Sequence, residues 1–239
     1  TTTLDEFVQV RYQRIYQAAK EKTKFGGVAG PRLYRRVNRE VLRQNNAQYL
    51  LYEGIRSELY LQGVRLYPTF SLDEDHIRRE KALFEKEIRP FLKVEPLRDS
   101  RPRQKQLYLL VKLTRARHRA GPFYLVGLPA ALPRLFDLSK TKGEQCLIRV
   151  EDVVKHYLHR LFPKDQVEHA AVFRIIRNQN FPVEERTGDD IVPAVREMLA
   201  HRLGGDVMRL EAEERMSEEM LTLLMQQFGL ERERRYRVT

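Results

Sequence analysis

The sequence has a single cysteine, Cys146, in 239 residues and no Asn-x-Ser/Thr acceptor. An internal disulfide is therefore impossible, and nothing marks a secreted or glycosylated domain. The longest uncharged apolar stretch, Ala120 to Pro133, is 14 residues broken by three prolines, whereas a bilayer span needs about 20 apolar residues. No signal-peptide pattern opens the chain. The phosphate-loop, dinucleotide, zincin and hydrolase signatures (G-x-x-x-x-G-K-[ST], G-x-G-x-x-G, H-E-x-x-H and G-x-S-x-G) are all missing. These absences exclude a helical membrane span and an internally stapled fold, and they leave no catalytic machinery written in one stretch. A reducing cytoplasm is the expected compartment, with peripheral attachment to a membrane as a variant of it.

What is in excess is positive charge. Lys plus Arg number 44 against 33 Asp plus Glu, a formal +11, while 42% hydrophobic content suffices for one or two ordinary cores. The charge is segmented. Residues 11 to 43 hold ten basic side chains against Glu21 and Glu40, and residues 101 to 119 hold seven with no acid. Residues 204 to 231 instead hold seven acidic side chains against Arg209 and Arg215. Such asymmetry marks either partner-facing surfaces or merely solvated faces.

In residues 4 to 19, Leu4, Phe7, Val8, Tyr12, Ile15 and Ala19 recur at the three- and four-residue steps of a helix face. Thr3 and Glu6 have the spacing of a capping box at its start. Gly26, Gly27, Gly30 and Pro31 then break the helix and start another. The second reading of these glycines is a phosphate cradle at a helix N-terminus. The next helix is expected from about Arg32 to Gly63, with Tyr34, Val37, Val41, Tyr49, Tyr52, Ile55 and Leu59 on its buried stripe. Arg32, Arg36, Arg39 and Arg43 fall on the opposite side, giving an antiparallel helical hairpin with a basic outer face.

The pattern changes after Gly63, so domains of 1–63 and 64–239 are expected. A strand at Val64 to Tyr67 precedes a second capping box, Ser71-Leu72-Asp73-Glu74, and a helix distorted or ended around Pro90. Strands at Gln106 to Thr114 and Phe123 to Leu128 make a hairpin through the basic 115–121 turn. A strand at Cys146 to Val150, a helix at Glu151 to Phe162 and a strand at Ala171 to Arg177 follow. The chain closes with a helix at Asp190 to Leu203, a strand at Val207 to Glu213, a helix at Ser217 to Phe228 and a strand at Arg235 to Val238. The fold class is α+β, with a mainly antiparallel or mixed sheet covered by helices.

Individual candidates for chemistry are few. His156 and His159 are three apart on one helix, but Val153, Val154, Tyr157, Leu158 and Leu161 define its buried side, so both histidines are expected in solvent without a third metal ligand. Cys146 reads as a small buried thiol. Asp189-Asp190 reads as a helix start, and only secondarily as a Mg²⁺ site. The arginine stripe Arg32, Arg36, Arg39, Arg43 offers planar bidentate donors to phosphate oxygens. It suits a polyanion or an acidic neighbouring domain, and the 101–119 segment is read in the same two ways.

Leu4-Asp5-Glu6-Phe7 followed by Val10-Arg11 resembles the L-D-E-F-x-x-V-R motif of bacterial polyphosphate kinases. Further stretches agree in order: Leu33 to Arg43, Phe84 to Pro90, Tyr124 to Arg134, Ile148 to Phe162, Phe173 to Asn178 and Val207 to Glu211 each resemble a family segment. The resemblance is to the N-terminal helical domain and the head domain. It implies a kinase that reversibly moves the terminal phosphate of ATP onto polyphosphate through a phosphohistidine, with Mg²⁺. The histidine and metal ligands are implied to lie in C-terminal catalytic domains, so no catalytic residue and no metal ligand is assigned here. It further implies a nucleotide-side position at Thr3, where a hydroxyl stands in place of the family's asparagine, and a homo-oligomer built through the head domain. Thr1-Thr2-Thr3, running straight into a helical pattern without an initiator methionine, reads as the start of an excised piece that is inactive alone. The alternative function is a free-standing module that binds polyphosphate or nucleic acid.

Overall fold

Amphipathic periodicity at the N-terminus produces one continuous rod. In the computed structural model, which describes residues 2–67, 72–114, 121–140, 143, 145–178, 205–231 and 235–238, α1 (Thr2–Phe7) and α2 (Gln13–Lys20) are joined by a π-helical turn, Val8–Tyr12. The wider turn lets Val8, Tyr12 and Ile15 all face inward and become buried. Thr3 lies inside the first turn and is exposed. The expected Thr3–Glu6 capping box is therefore replaced: an N-cap needs non-helical backbone, and here the helix already includes Thr2.

The three glycines after α2 do more than break a helix. Gly26 and Gly27 adopt φ +56° and +79°, the left-handed pair that a two-residue hairpin turn requires. They join β1 (Lys24–Phe25) to β2 (Val28–Ala29), antiparallel with Phe25 opposite Val28. Gly30 then opens α3 (Gly30–Leu61), with Pro31 in its first turn. The Gly30 N–H donates to Thr23 O at 2.8 Å, so it is not free to cradle phosphate. The backbone of α2 lies directly against it, and a Cβ there would sit 2.2 Å from Ala18 O. Glycine is thus what allows the two helices to touch.

α3 has 32 residues, about 48 Å at the helical rise, and outruns the short rod beside it. Tyr34 and Val41 are buried, but the continuation of the expected stripe is not: Tyr49, Tyr52, Ile55 and Leu59 are all exposed. The stripe is as regular there, but among the described residues nothing buries it over that half, because α2 ends at Lys20.

β3 (Val64–Leu66) follows directly. α4 (Glu74–Leu83) is capped by Asp73, whose carboxylate accepts from the N–H groups of Asp75 and His76 at 3.1 Å each. The cap is thus Asp73 itself, and Ser71 of the expected box lies outside the described residues. α4 continues as a π turn, Phe84–Ile88, and a 3₁₀ turn, Arg89–Phe91, the distortion expected around Pro90. The remaining elements are β4 (Lys93–Pro96), β5 (Leu107–Leu113), β6 (Phe123–Leu128), β7 (Leu135–Asp137), β8 (Gln145–Arg149), α5 (Val150–His156), α6 (Leu158–Leu161), β9 (Val167–Arg177), β10 (Val207–Glu213), α7 (Glu218–Phe228) and β11 (Arg235–Val238). β4 and β7 were not expected. They are four and three residues long, and β4 carries two charges and ends in proline, so neither has a readable strand pattern. The basic turn at 115–120 and the expected helix at 190–203 lie outside the described residues.

Six strands form one sheet in the order β11-β10-β9-β5-β6-β4, antiparallel except for β10 with β11. A smaller mixed sheet has the order β3-β8-β7. The class is α+β, as expected. Period-two alternation splits β5 cleanly. Leu109, Val111 and Leu113 enter a core with the small sheet, Phe84, Ile88 and α5, while Tyr108 and Leu110 enter a second core under α7. A third cluster of Val8, Tyr12, Ile15, Tyr34, Ile176 and Met208 seats the helical hairpin on β9 and β10.

Two glycine substitutions separate packing from propensity. Gly30→Ala forces the hairpin helices apart and is expected to cost about 2–3 kcal/mol, whereas Gly54→Ala, with open space around it on α3, is expected to stabilise by about 0.5–1 kcal/mol. Urea unfolding of both variants checks the pair, and equal effects would contradict this account of Gly30.

Candidate functional site

Charged residues punctuate the apolar strands β9 and β10, and the antiparallel register brings them together. Arg174 pairs in register with Glu211, and its Nε donates to the Glu211 carboxylate. The same guanidinium lies 3.7 Å from Asp5 of α1. Arg209 Nη2 contacts Glu211 Oε1 at 2.6 Å and donates to Asn45 Oδ1 of α3 at 3.0 Å. Asp5, Arg209 and Glu211 are all buried. Burial works against the charge of Arg174, but the hydrogen bond and charge of Glu211, with the charge of Asp5, outweigh it and leave the guanidinium pKa raised.

This chain of charges floors a cleft of about 460 Å³ lined by Leu4, Asp5, Asn45, Gln48, Lys105, Leu107, Arg134, Arg174, Arg209 and Glu211. Thr3 is not among the lining residues, although the two that follow it are. Lys105 holds a left-handed backbone, φ +61°, which costs a non-glycine residue about 1–2 kcal/mol. Its loop is clamped around it. Lys105 N–H donates to Ile175 O at 2.9 Å, Arg177 Nη2 donates to Pro102 O at 3.2 Å, and Arg103 N–H donates to Tyr108 Oη at 2.8 Å.

The outer arginine face is a second, open site. Arg32, Arg35, Arg36 and Arg39 line a depression of about 390 Å³ on α3. Arg35 joins the expected stripe, because its spacing from Arg32, Arg36 and Arg39 keeps it on the same face. Arg43 is turned to Glu40, contacting it at 2.9 and 2.6 Å. That hydrogen bond, helped by Gln44, draws the Glu40 pKa down to about 2.

Other expected groups find ordinary partners. His156 keeps an exposed edge, but its Nδ1 reaches the fully buried Glu80 of α4 at 2.9 Å, so it is not simply solvated. Tyr157 lies beside it, its hydroxyl pushed up to about 12 by burial first and then by Glu80. Cys146 is buried in β8. The basic 101–119 segment is divided: Lys112 pairs with Glu168 and Glu219 at 2.7 and 2.8 Å, while Lys105 faces the cleft. Asp189-Asp190 lies outside the described residues. Among the described residues no group of three or more His, Cys, Asp or Glu side chains is placed to hold a metal ion, and no helix is long and apolar enough to cross a membrane. Lys105 was legible only as part of the basic 101–119 segment, and sequence reasoning passed over Arg35, Asn45, Arg174 and Arg209. The signal for the last two was a charge set inside an otherwise apolar strand.

The fold is a helical hairpin seated on a sheet domain through a buried charge chain, with an arginine-lined depression on α3 and a charged cleft beside the sheet. Comparison with known proteins gives the family. The description "Polyphosphate kinase middle domain" matches residues 76–239, and the chain belongs to the polyphosphate kinase family. It is 26% identical to polyphosphate kinase 1 of Chlorobaculum tepidum, over 100% of this chain and 36% of that one. It is 28% identical to the polyphosphate kinase of Streptomyces coelicolor, over 81% of this chain and 26% of the relative. The crystal structure of polyphosphate kinase from Porphyromonas gingivalis shares the fold, with TM-score 0.74 and 22% identity over 99% of this chain and 33% of that one. The chain spans about a third of the length of the curated relatives it matches.

Breaking the charge chain tests its structural weight. Arg174→Met leaves Asp5 and Glu211 short of a partner and is expected to cost about 3–5 kcal/mol. Arg174→Met combined with Glu211→Gln is expected to cost less than the sum of the single changes. Denaturant midpoints of the three variants decide this, and strict additivity would contradict a shared network.

Proposed function

We propose that this chain is the N-terminal and head portion of a polyphosphate kinase, divided into units 1–63 and 64–239. The parent protein reversibly transfers the terminal phosphoryl of ATP to polyphosphate through a phosphohistidine carried on segments that this chain does not span. This portion supplies part of the nucleotide side, with exposed Thr3 at the start of α1, and a head domain through which copies assemble. The observation that carries the reading is the likeness along the full chain: the match to a relative nearly three times as long covers 100% of these residues. The Mg²⁺ that such a reaction uses has no ligand set among the described residues, so no step is assigned to it here.

The arginine-lined depression on α3 favours a second reading, a module that binds polyphosphate or nucleic acid by itself. Phosphate-backbone binding is steeply salt dependent, so the two readings separate in solution.

ATP and polyphosphate turnover by the 239-residue chain is expected to equal a protein-free control, while a chain extended over the relatives' full length is active. Robust turnover by the 239 residues alone would overturn the first reading. For the second, Arg32→Glu, Arg36→Glu and Arg39→Glu together are expected to reduce affinity for long-chain polyphosphate and flatten its salt dependence, and absent or salt-insensitive binding by the unaltered chain removes it.

A further inference from the structure

The cleft between α1, α3 and the sheet shows three features that neither the charge chain nor the helix packing requires. Its carboxylates, Asp5 and Glu211, are already answered by Arg174 and Arg209. Arg134 is answered by Glu151 at 3.0 Å. Lys105 is not: among the described residues nothing pairs with its amine, so the lining keeps an uncompensated positive charge.

The second feature is a buried donor. A guanidinium only donates, so the hydrogen bond from Arg209 fixes the Asn45 amide with Oδ1 as its acceptor. The opposite end, Nδ2, is buried and meets no acceptor among the described residues. Buried amide donors are nearly always satisfied. The third feature is the strained Lys105 backbone, held by the three hydrogen bonds that clamp residues 102–108. Strain that the surroundings over-determine concentrates where a side chain must be aimed.

We propose that this cleft is a phosphoanion site, in which the Lys105 amine supplies the cation and Asn45 Nδ2 the buried donor, with the Gln48 amide alongside. A phosphoryl oxygen accepts hydrogen bonds only, which suits an amine and an amide N–H together, whereas an apolar ligand would leave both unanswered. The ligand is a short phosphate chain, either free or as the tail of a nucleotide. The inference rests on the family reading only for this choice of chain. Its measurement is binding by the 239-residue chain, whereas the family reading is tested by turnover of the longer protein, so either can fail alone.

Calorimetric titration at 0.15 M salt with inorganic tripolyphosphate, and separately with ADP, provides the test. Tighter tripolyphosphate binding assigns the free chain, and tighter ADP binding assigns the nucleotide tail. Lys105→Gly removes the amine and suits the left-handed backbone. It is expected to weaken binding about ten-fold or more with an unchanged or higher thermal midpoint, so the loss is not one of folding. Lys105→Arg keeps most of the affinity. Lys86→Met removes the same charge from an exposed position elsewhere and is expected to leave binding unchanged. No binding of either probe, unchanged binding by Lys105→Gly, or equal losses in Lys86→Met and Lys105→Gly would overturn the proposal.

Discussion

A single guanidinium holds the two parts of this molecule in register. Arg174 projects from the middle of β9 between a carboxylate on the first helix and one on the neighbouring strand. Glu211 also meets Arg209, whereas the buried Asp5 has Arg174 as its cation among the described residues, and an unpaired buried charge costs several kcal/mol. The continuation through Arg209 to Asn45 ties the long helix to the same strands. Both helices of the hairpin are therefore fixed to the sheet by directional contacts, beyond the non-directional packing of Val8, Tyr12 and Ile176. The orientation of the hairpin, and every recess between it and the sheet, depends on that arrangement.

The acidic region near the end of the sequence looked like a separate surface opposed to the basic ones. Folding turns much of it inward or against basic partners. Glu211 answers Arg174 and Arg209, Glu213 answers Lys155 at 2.6 Å, and Glu219 answers Lys112. The formal +11 therefore concentrates where no acid was folded against it. The outer arginines of α3 and the amine of Lys105 are among the basic groups with no acid folded against them among the described residues.

The helical hairpin shows how far local pattern can be trusted. Periodicity placed both helices, and glycine with proline placed the break. The tight Gly26-Gly27 turn and the contact at Gly30 follow from steric limits that a residue count does not display. The outer half of α3 is the reverse case. Its apolar stripe is as regular as the buried half, but burial requires an opposing surface, and over Tyr49 to Leu59 none is folded against it among the described residues.

The sequence by itself determined the α+β class, the paired strands β5 and β6, the closing strand–helix–strand series and, through its ordered motifs, the family. Those features rest on periodicity, turn chemistry and motif order, all of which are local or linear in the chain. Thr3 as a cap failed because a helix start depends on backbone geometry one residue earlier. Arg43 left the basic face because Glu40 lies one turn before it. The cleft was illegible for a stronger reason. Asp5, Asn45, Lys105, Arg174 and Glu211 are scattered over two hundred residues, and strand register and helix seating alone bring them together. Only the tertiary structure could decide which charges cancel and which remain.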